Sequence, residues 1–296
     1  MNPFSEFRRF FRQGGALTQL ILINITVFLS LKILGVLFFL FQRENLEQLV
    51  LHFLALPADP SRLLTRPWTI ISYMFLHYDL LHILFNLLWL FWFGKIFLEY
   101  LNARKLFSVY LLGGLTGGLF YVLAYNLFPA FSESLPVSVA LGASAAVLAI
   151  VMAISFYVPD YTIRLLLIGT VKLKYIALAT IIIDILSIRS GNAGGHLAHL
   201  GGALFGIVYA SQLNRGRDLA RGFNRLADSV VTLFRRRPGM RVKYRKSVRN
   251  ETDFEYNARK VAEQQEIDRI LDKISRGGYD ALTREEKDTL FRSGKK

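Results

Sequence analysis

The sequence predicts an all-α, multi-pass membrane protein in which six helices cross a bilayer and a small helical hairpin follows on the cytoplasmic side. Two observations lead to this fold class, and a third limits the chemistry. Of the 296 residues, 53% are hydrophobic, and the mean hydropathy is +0.35, which is too apolar for an ordinary soluble protein. The apolar residues fall into long runs separated by short charged connections. There is no cysteine, which excludes disulfides, thiolate catalysis and cysteine-ligated zinc.

The apolar pattern divides the chain into four segments. We expect a cytoplasmic N-terminus over 1–15, a six-span membrane domain over 16–213, a basic juxtamembrane linker over 214–250 and a small helical appendage over 251–296. Within the membrane domain the fifth span is the shortest and contains Asp184. The predicted spans are 16–41, 82–100, 106–128, 144–158, 175–188 and 196–213.

Charge in the connecting segments predicts the orientation. The 102–105 and 160–174 connections are basic, whereas the 129–139 connection has no Lys or Arg. Because cytoplasmic loops carry the excess of Lys and Arg, we expect both termini in the cytoplasm. The net charge is +14, and residues 214–250 alone hold 12 Lys and Arg against two Asp and Glu. Next to a membrane span, such a segment favours contact with anionic lipid over binding of nucleic acid.

Two segments outside the spans show helical patterns. Residues 46–54 have helical apolar spacing within the 42–74 connection, which we expect to lie at the outer membrane interface. In the appendage, 254–275 reads as an amphipathic helix that ends at Gly277 and Gly278. A capping box from Thr283 to Glu286 then predicts a second short helix.

The stretch from Ala140 to Val151 is a small-residue turn that runs directly into an apolar helix. Ser144 stands at the start of this helix, after Gly142 and before a run of alanines. Little bulk shields its hydroxyl, and the free N–H groups of the first helical turn favour negative charge there. This is a suitable position for a nucleophile with an oxyanion site. The ordinary alternatives are an N-cap serine and small residues that let membrane helices pack closely.

Polar side chains at membrane depth cost several kcal/mol, so each one requires an explanation. His82 and Asn86 lie four residues apart at the start of the second span, and His196 and His199 lie three apart at the start of the sixth. The second, fourth and sixth spans run in the same direction, so Ser144, His82 and His199 all fall near the outer face. Asn86 lies about one turn, ~6 Å, deeper.

These residues suggest catalytic roles. His199 is the expected general base, because Ala198, Gly202 and Gly206 form a smooth face that allows the sixth span to approach the fourth. His82, Asn86 and the backbone N–H of Ser144 are the expected donors of an oxyanion hole.

Other polar residues near the outer face receive structural interpretations. We expect His196 to be exposed beside the glycine-rich 189–195 loop. Nothing in the sequence places Asp184 beside His199. We therefore expect Asp184 to serve helix packing or to bond to a loop, and the catalytic pair to be a Ser–His dyad. His77 lies about one turn before His82, so it either approaches the outer mouth of the site or is an interfacial residue only. His52 is interpreted as a surface residue of the interfacial helix.

Three motifs resemble the rhomboid intramembrane serine proteases, in the same order and on the second, fourth and sixth spans. They are His-Ile-Leu-Phe-Asn-Leu-Leu-Trp at 82–89, Gly-Ala-Ser-Ala at 142–145 and Ala-His-Leu-Gly-Gly-Ala-Leu-Phe-Gly at 198–206. The resemblance covers residues 15–213 and implies a bundle folded around a short fourth span. It also implies that Ser144 is the nucleophile, that His199 is its base, and that His82, Asn86 and the Ser144 amide form the oxyanion hole.

The resemblance implies a serine-type endopeptidase that cleaves single-span membrane proteins in or near their transmembrane segments, with no cofactor and no metal. We expect it to be a multi-pass protein of a bacterial inner membrane. Two positions depart from the family pattern: Ala145 replaces a glycine, and Leu148 replaces a tyrosine. Because Ser144 and His199 are both present, we expect activity; the two departures are the main support for the alternative of an inactive, rhomboid-like protein that binds membrane spans. A third alternative is a metal or ion transporter built on His82, His196, His199 and Asp184.

Overall fold

A computed structural model of the chain describes residues 15–165, 169–189, 191–234 and 253–293. The chain divides into two compact units, Met1–Arg235 and Arg236–Lys296. The arginines of the predicted cytoplasmic N-terminus and residues 235–250 of the predicted linker lie outside the described residues. The helices of the first unit are α1 (Ala16–Leu40), α2 (Asn45–Leu54), α3 (Pro60–Thr65), α4 (Thr69–Ser72), α5 (Leu80–Tyr100), α6 (Ala103–Leu127), α7 (Ser144–Tyr157), α8 (Leu173–Ser187), α9 (Ala193–Asn214) and α10 (Ala220–Phe234).

The architecture is a helical membrane bundle, as the sequence predicts. Three helices of the described residues, α1, α5 and α6, are long and apolar enough to cross a bilayer. The helix α7 is equally apolar but has only 14 residues, and α8 has 15. The total of six crossings stays a prediction.

The centre of the bundle is α7, which packs against α5, α6, α8 and α9. Every residue from Ala145 to Ser155 is buried, so no side chain in this part of the helix faces lipid, whereas Phe156 near its end is exposed. Glycines on two of these neighbours, α6 and α9, allow the helices to approach α7 closely. A Cβ at Gly113 or Gly117 of α6 would overlap the Cβ of Ala149 or Ala145. Small residues on three adjacent helices therefore bring backbones into contact at the level of Ser144.

The connection before α5 is ordered by a two-stranded ladder. The strand β1 (Leu56–Pro57) pairs antiparallel with β2 (Val139–Ala140), which leads into α7. The helix expected over 46–54 is present as α2, and its end is fixed by the Trp68 indole, which donates to the Phe53 carbonyl at 2.9 Å. Residues 73–75 and 129–131 form single 3₁₀ turns. The ladder, which the sequence did not indicate, fixes the segment just before Ser144.

The connection after α7 is a β-hairpin of β3 (Thr162–Leu165) and β4 (Gly169–Lys172). The sequence predicted only a basic connection here. Asp160 accepts from Lys172 at 2.9 Å and from Lys174 at 2.8 Å. The hydrogen bonds from Lys174 and Lys172 lower the pKa of the Asp160 carboxyl to about 2.

The predicted 214–250 linker begins with an amphipathic helix, α10, which the sequence reading did not foresee. It is fixed to the first turns of α6. Ser108 donates to the Asn224 side chain at 2.8 Å, Arg104 donates to the Asn224 carbonyl at 3.0 Å, and Arg104 also pairs with Asp228. The first part of this segment is thus packed against the membrane domain rather than extended.

The second unit is a helical hairpin of α11 (Asp253–Gly277) and α12 (Arg284–Ser293), joined through a 3₁₀ turn at Tyr279–Ala281. Gly278 has φ +75°, a left-handed conformation that suits glycine after a helix end. The Glu286 carboxylate accepts from the Thr283 N–H at 2.7 Å and pairs with Lys273 at 2.9 Å. The capping box read from the sequence is therefore present, and one ion pair connects it to α11.

Candidate active site

The turn before α7 presents Ser144 at the first position of the helix. Gly142 has φ +136°, a conformation that L side chains rarely adopt, and its N–H donates to the Tyr73 carbonyl at 2.9 Å. The helix begins at Ser144, and Ala143 occupies the N-cap position without a side-chain hydrogen bond. Ser144 is therefore not an N-cap, and the unpaired N–H groups of the first turn stay available near its hydroxyl.

The start of α5 places His82 against the same turn. A Cβ built on Gly142 would lie 3.0 Å from His82 Nε2 and 3.4 Å from Ser144 Oγ, so both atoms border one small space. Asp79 caps α5 by accepting from the His82 N–H at 2.8 Å, which fixes where the histidine leaves the helix. Asn86 is 7% exposed and donates one amide hydrogen to the His82 carbonyl at 2.9 Å. The two expected oxyanion donors thus line one face of α5.

His199 is held by a carboxylate, contrary to the expectation from the sequence. Its Nδ1 lies 2.8 Å from Oδ1 of Asp184, and Asp184 is only 4% exposed. The Asp184 side chain comes from the second half of α8, which packs against the start of α9. The interpretation of Asp184 as a packing residue away from His199 is wrong: ionisable groups in an apolar helix need a partner, and the opposite helix supplies it.

The expectation for His196 is also wrong. The helix α9 begins at Ala193, so His196 lies in its first turn and not beside a loop. Its side chain is 19% exposed, and its Nδ1 lies 2.8 Å from the same Oδ1 of Asp184. Asn192 caps the helix by accepting from the Gly195 N–H at 3.2 Å, which extends the helix toward the glycine-rich segment.

His77 is more buried than an interfacial residue would be. It is 2% exposed, and its ring centroid lies 5.0 Å from that of His82. Neither ring nitrogen has a hydrogen-bond partner within the described structure. Burial lowers the pKa of His77 to about 4, so the ring is neutral at pH 7. His52 is exposed on α2, as expected.

One cavity joins the side chains at the N-terminal ends of α5, α7 and α9. It has a volume of about 1140 Å³ and extends from the Ser144 turn to the facing sides of α5 and α8. The polar residues that line it include all four site residues expected from the sequence together with the unexpected carboxylate: Ser144, His82, Asn86, His199 and Asp184. The remaining walls are largely apolar, which is the usual character of a binding cavity.

Ala145 and Leu148, the two positions that depart from the family pattern, both lie in the packed region around Ser144. The Cβ of Ala145 faces α6 at Gly117, where the absence of a side chain leaves space for it. The carbonyl of Ala145 lies against Gly202 of α9. Leu148 is 6% exposed and lines the cavity. The extra methyl group at 145 is thus accommodated by a glycine on the neighbouring helix.

Comparison with known proteins identifies a family whose matched region contains these residues. A protein-family model described as the Rhomboid domain matches residues 64–215, which include every residue of the cavity named above. The chain belongs to the rhomboid family. A second model, a family of unknown function designated DUF6576, matches residues 250–296 of this rhomboid and so coincides with its helical hairpin.

Curated relatives of this rhomboid come from a plant and from bacteria. It is 31% identical to "RHOMBOID-like protein 12, mitochondrial" of Arabidopsis thaliana over 158 residues, which cover 50% of this chain and 47% of that protein. It is 34% identical to "Rhomboid protease GlpG" of Klebsiella pneumoniae over 99 residues, which cover 33% of this chain and 32% of the relative. With the protein of the same name from Serratia proteamaculans it shares 30% identity over 141 residues, or 41% and 46% of the two chains. The chain thus spans between a third and a half of the length of these relatives.

Proposed function

We propose that this rhomboid is a serine-type intramembrane protease that hydrolyses peptide bonds in or near the transmembrane segments of single-span membrane proteins. The observation that carries the proposal is the single cavity that brings Ser144, His199, His82 and Asn86 together at the N-terminal ends of three helices. The names of the bacterial relatives, which describe proteases, point to the same reaction class.

Asp184 orients the imidazole ring of His199 and selects its tautomer. In a neutral imidazole only one ring nitrogen carries hydrogen. The carboxylate of Asp184, 2.8 Å from Nδ1 of His199, favours the tautomer with hydrogen on Nδ1 and leaves Nε2 free to accept a proton. A base, its nucleophile and a group that orients the base form the arrangement of serine hydrolases. We therefore extend the expected Ser–His dyad to a set in which Asp184 is the positioning residue.

The reaction follows from these roles. Nε2 of His199 takes the proton of the Ser144 hydroxyl while Oγ attacks the scissile carbonyl carbon. The negative charge that develops on the carbonyl oxygen is stabilised by the Ser144 backbone N–H, His82 and Asn86. His199 then protonates the leaving amine, which departs and leaves an acyl-serine. A water molecule, deprotonated by His199, hydrolyses this ester and returns Ser144 to its starting state.

The shape of the cavity supports a membrane-span substrate. Its apolar walls come from Phe85 and Trp89 of α5 and from Ile176, Ala179 and Ile183 of α8. Phe85 and Ile183 are exposed on the outside of the bundle, where lipid would lie. An apolar segment can therefore enter between α5 and α8 without crossing a polar surface. Near the site it must unwind, because helical carbonyls are already hydrogen-bonded.

The charge distribution supports the remaining proposals about location. We place this multi-pass membrane protein in a bacterial inner membrane with both termini in the cytoplasm, because the basic connections all fall on one side of the spans. The basic residues of 214–250 would contact anionic lipid on that side. The helix α10 supports this arrangement because it is amphipathic and fixed to the N-terminal end of α6.

The test combines cleavage of a model span with labelling by a fluorophosphonate. We expect the purified protein to cleave the span and to take up the label, and Ser144→Ala to abolish both while the amount of folded protein is unchanged. His199→Ala should suppress labelling because the hydroxyl loses its base. An inactive span-binding protein, the alternative suggested by Ala145 and Leu148, would bind the model span without cleavage or labelling. Persistent cleavage by Ser144→Ala would rule out the proposed nucleophile.

A further inference from the structure

The carboxylate of Asp184 serves two histidines at once. Nδ1 of His196 and Nδ1 of His199 each lie 2.8 Å from its Oδ1. The two histidines are three residues apart on α9, and their ring centroids are 5.7 Å apart with nearly perpendicular planes. The proposed reaction needs one of these contacts, the one with His199. It gives no role to His196.

The second oxygen of the same carboxylate has no partner. Oδ2 of Asp184 is buried and makes no hydrogen bond within the described structure, although the residue is only 4% exposed. A buried carboxylate normally engages both oxygens, because an unsatisfied charged group in apolar surroundings is costly. Both imidazole contacts are made to Oδ1, so neither of them satisfies Oδ2. The cluster of Asp184, His196 and His199 is therefore electrostatically suited to a cation.

The donor atoms match those of a transition-metal ion. The three ligand atoms lie within 4.8 Å of one another. Around a tetrahedral zinc ion with bonds of about 2.0–2.1 Å, ligand atoms stand roughly 3.4 Å apart, so small side-chain rotations suffice. Two histidine nitrogens and one carboxylate oxygen form a known three-ligand set for zinc that leaves a position for water. The histidine side chains are 19% and 23% exposed, which leaves an entry path.

We propose that Asp184, His196 and His199 bind a divalent transition-metal ion, with zinc as the best match, and that this ion inhibits the protease. The inhibitory half of the proposal rests on the proposed function, in which His199 is the base. Metal coordination at Nδ1 of His199 requires that the single proton of the neutral ring move to Nε2. With hydrogen on Nε2, the ring no longer accepts the proton of Ser144. The metal thus holds the histidine in the unreactive tautomer and also engages the carboxylate that selects the reactive one.

Zinc binding tests the site without reference to activity. The full-length chain, without a histidine tag, is purified in detergent, stripped with a chelator and titrated with zinc against a chromophoric zinc indicator. We expect one zinc ion per chain in the wild type, in Ser144→Ala and in His52→Ala, the matched control for an exposed histidine outside the cluster. His196→Ala removes one ligand and should weaken zinc affinity by about tenfold or more. Even the loss of an outer-shell partner of a metal ligand typically has an effect of this size. His196→Gln is the second variant, in case His196→Ala does not fold.

The results separate the metal site from the proposed function. Failure of the wild type to bind one zinc ion, or unchanged affinity in both folded His196 variants, would overturn the site. Zinc binding by Ser144→Ala supports it even if the wild type shows no proteolysis, in which case only the proposed function fails. In an active wild type we expect zinc to stop cleavage and a chelator to restore it. The inhibitory zinc concentration should rise about tenfold or more in His196→Gln, each variant being scaled to its own zinc-free rate. Zinc binding without inhibition would overturn the regulatory part.

Discussion

Gly202 of α9 lies directly on the backbone carbonyl of Ala145 in α7, so that a Cβ at position 202 would overlap that oxygen. The contact joins the two helices next to the proposed nucleophile and base. Ala145 follows Ser144, and Gly202 stands three residues, or nearly one turn, after His199. The distance between the proposed nucleophile and its base is thus set by a backbone contact that tolerates no side chain.

Gly202→Val should therefore separate α9 from α7 and lower both stability and activity. Overpacking costs about 1–3 kcal/mol in well-packed cores, and a rigid backbone carbonyl allows little relief. We expect a lower thermal unfolding midpoint and the loss of most cleavage of the model span. Gly222→Ala in α10 is the matched control, because a Cβ there meets no atom within 4 Å. Its replacement should be neutral or slightly stabilising, and equal effects of the two variants would contradict the prediction.

Asp184→Asn should lower kcat while the protein keeps its fold. The amide is similar in size but offers both a donor and an acceptor, so it no longer selects the tautomer with hydrogen on Nδ1. We expect kcat to fall by roughly 10- to 100-fold, a moderate fraction of what loss of the corresponding carboxylate costs in serine proteases. KM should change little, since Asp184 does not contact the substrate in the proposed arrangement.

The kinetic comparison for Asp184 needs a variant that keeps the charge. Asp184→Glu retains the carboxylate but places it differently, and we expect partial activity between that of the wild type and Asp184→Asn. A purely structural role would instead lower the unfolding midpoint and kcat together in both variants. If Asp184→Asn keeps full kcat, the dyad read from the sequence is sufficient and Asp184 has no positioning role.

The helical membrane fold is predictable from the sequence, because apolar runs and charged connections follow directly from the bilayer as solvent. The sequence pattern also selects four polar residues that the structure brings to one cavity. Their common depth followed from chain direction alone, since α5, α7 and α9 all begin near one membrane face in the predicted topology. The spacing of Gly202 and Gly206 predicts a close contact between α9 and α7, and both glycines lie against backbone carbonyls of α7.

The contacts of Asp184 with His196 and His199 are not predictable from the sequence pattern. Its position near the end of α8 is visible in the sequence, but the rotation of α8 relative to α9 depends on tertiary packing. The strand pairing of Leu56 with Ala140 was missed for a similar reason, since two-residue strands have no periodicity to detect. One signal for Asp184 was available: a carboxylate in an apolar helix next to a helix with histidines at 196 and 199 requires a partner.

Asn86→Ala should reduce cleavage without disturbing the bundle. Its Nδ2 donates to the His82 carbonyl at 2.9 Å within the same helix, so the second amide hydrogen is the one proposed to reach the oxyanion. Removal of one oxyanion donor typically lowers kcat by about 10²–10³-fold. His82→Ala should act in the same sense. We expect the double variant to lose less than the product of the single effects, because both donors serve the same oxygen.

The measurement is kcat for a model span, with Asn126→Ala as the control. Asn126 is also an asparagine in a long helix, but it does not line the cavity. Its Nδ2 donates to the Ala58 carbonyl at 2.9 Å. We expect this variant to lose stability but to keep kcat in the folded fraction. A loss of kcat in Asn126→Ala equal to that of Asn86→Ala would show that both asparagines act only through stability.

The helical hairpin offers a prediction about pH. The hydrogen bond from the Thr283 N–H, with a further contribution from Lys273, lowers the pKa of Glu286. A carboxyl group whose pKa is depressed on folding stabilises the folded state above its unfolded pKa, and this contribution disappears as the pH falls through the lower, folded pKa. We therefore expect the first turn of α12 to be protected from hydrogen exchange at pH 7 and to lose protection below about pH 4.

Glu286→Gln should show reduced protection at pH 7 and a weaker dependence on pH. Glu285→Gln, one residue earlier and outside the capping box, should behave as the wild type. Exchange measured by mass spectrometry on the full chain, with intrinsic rates corrected for pH, makes this comparison, and an unchanged pH dependence in Glu286→Gln would assign the protection to another group.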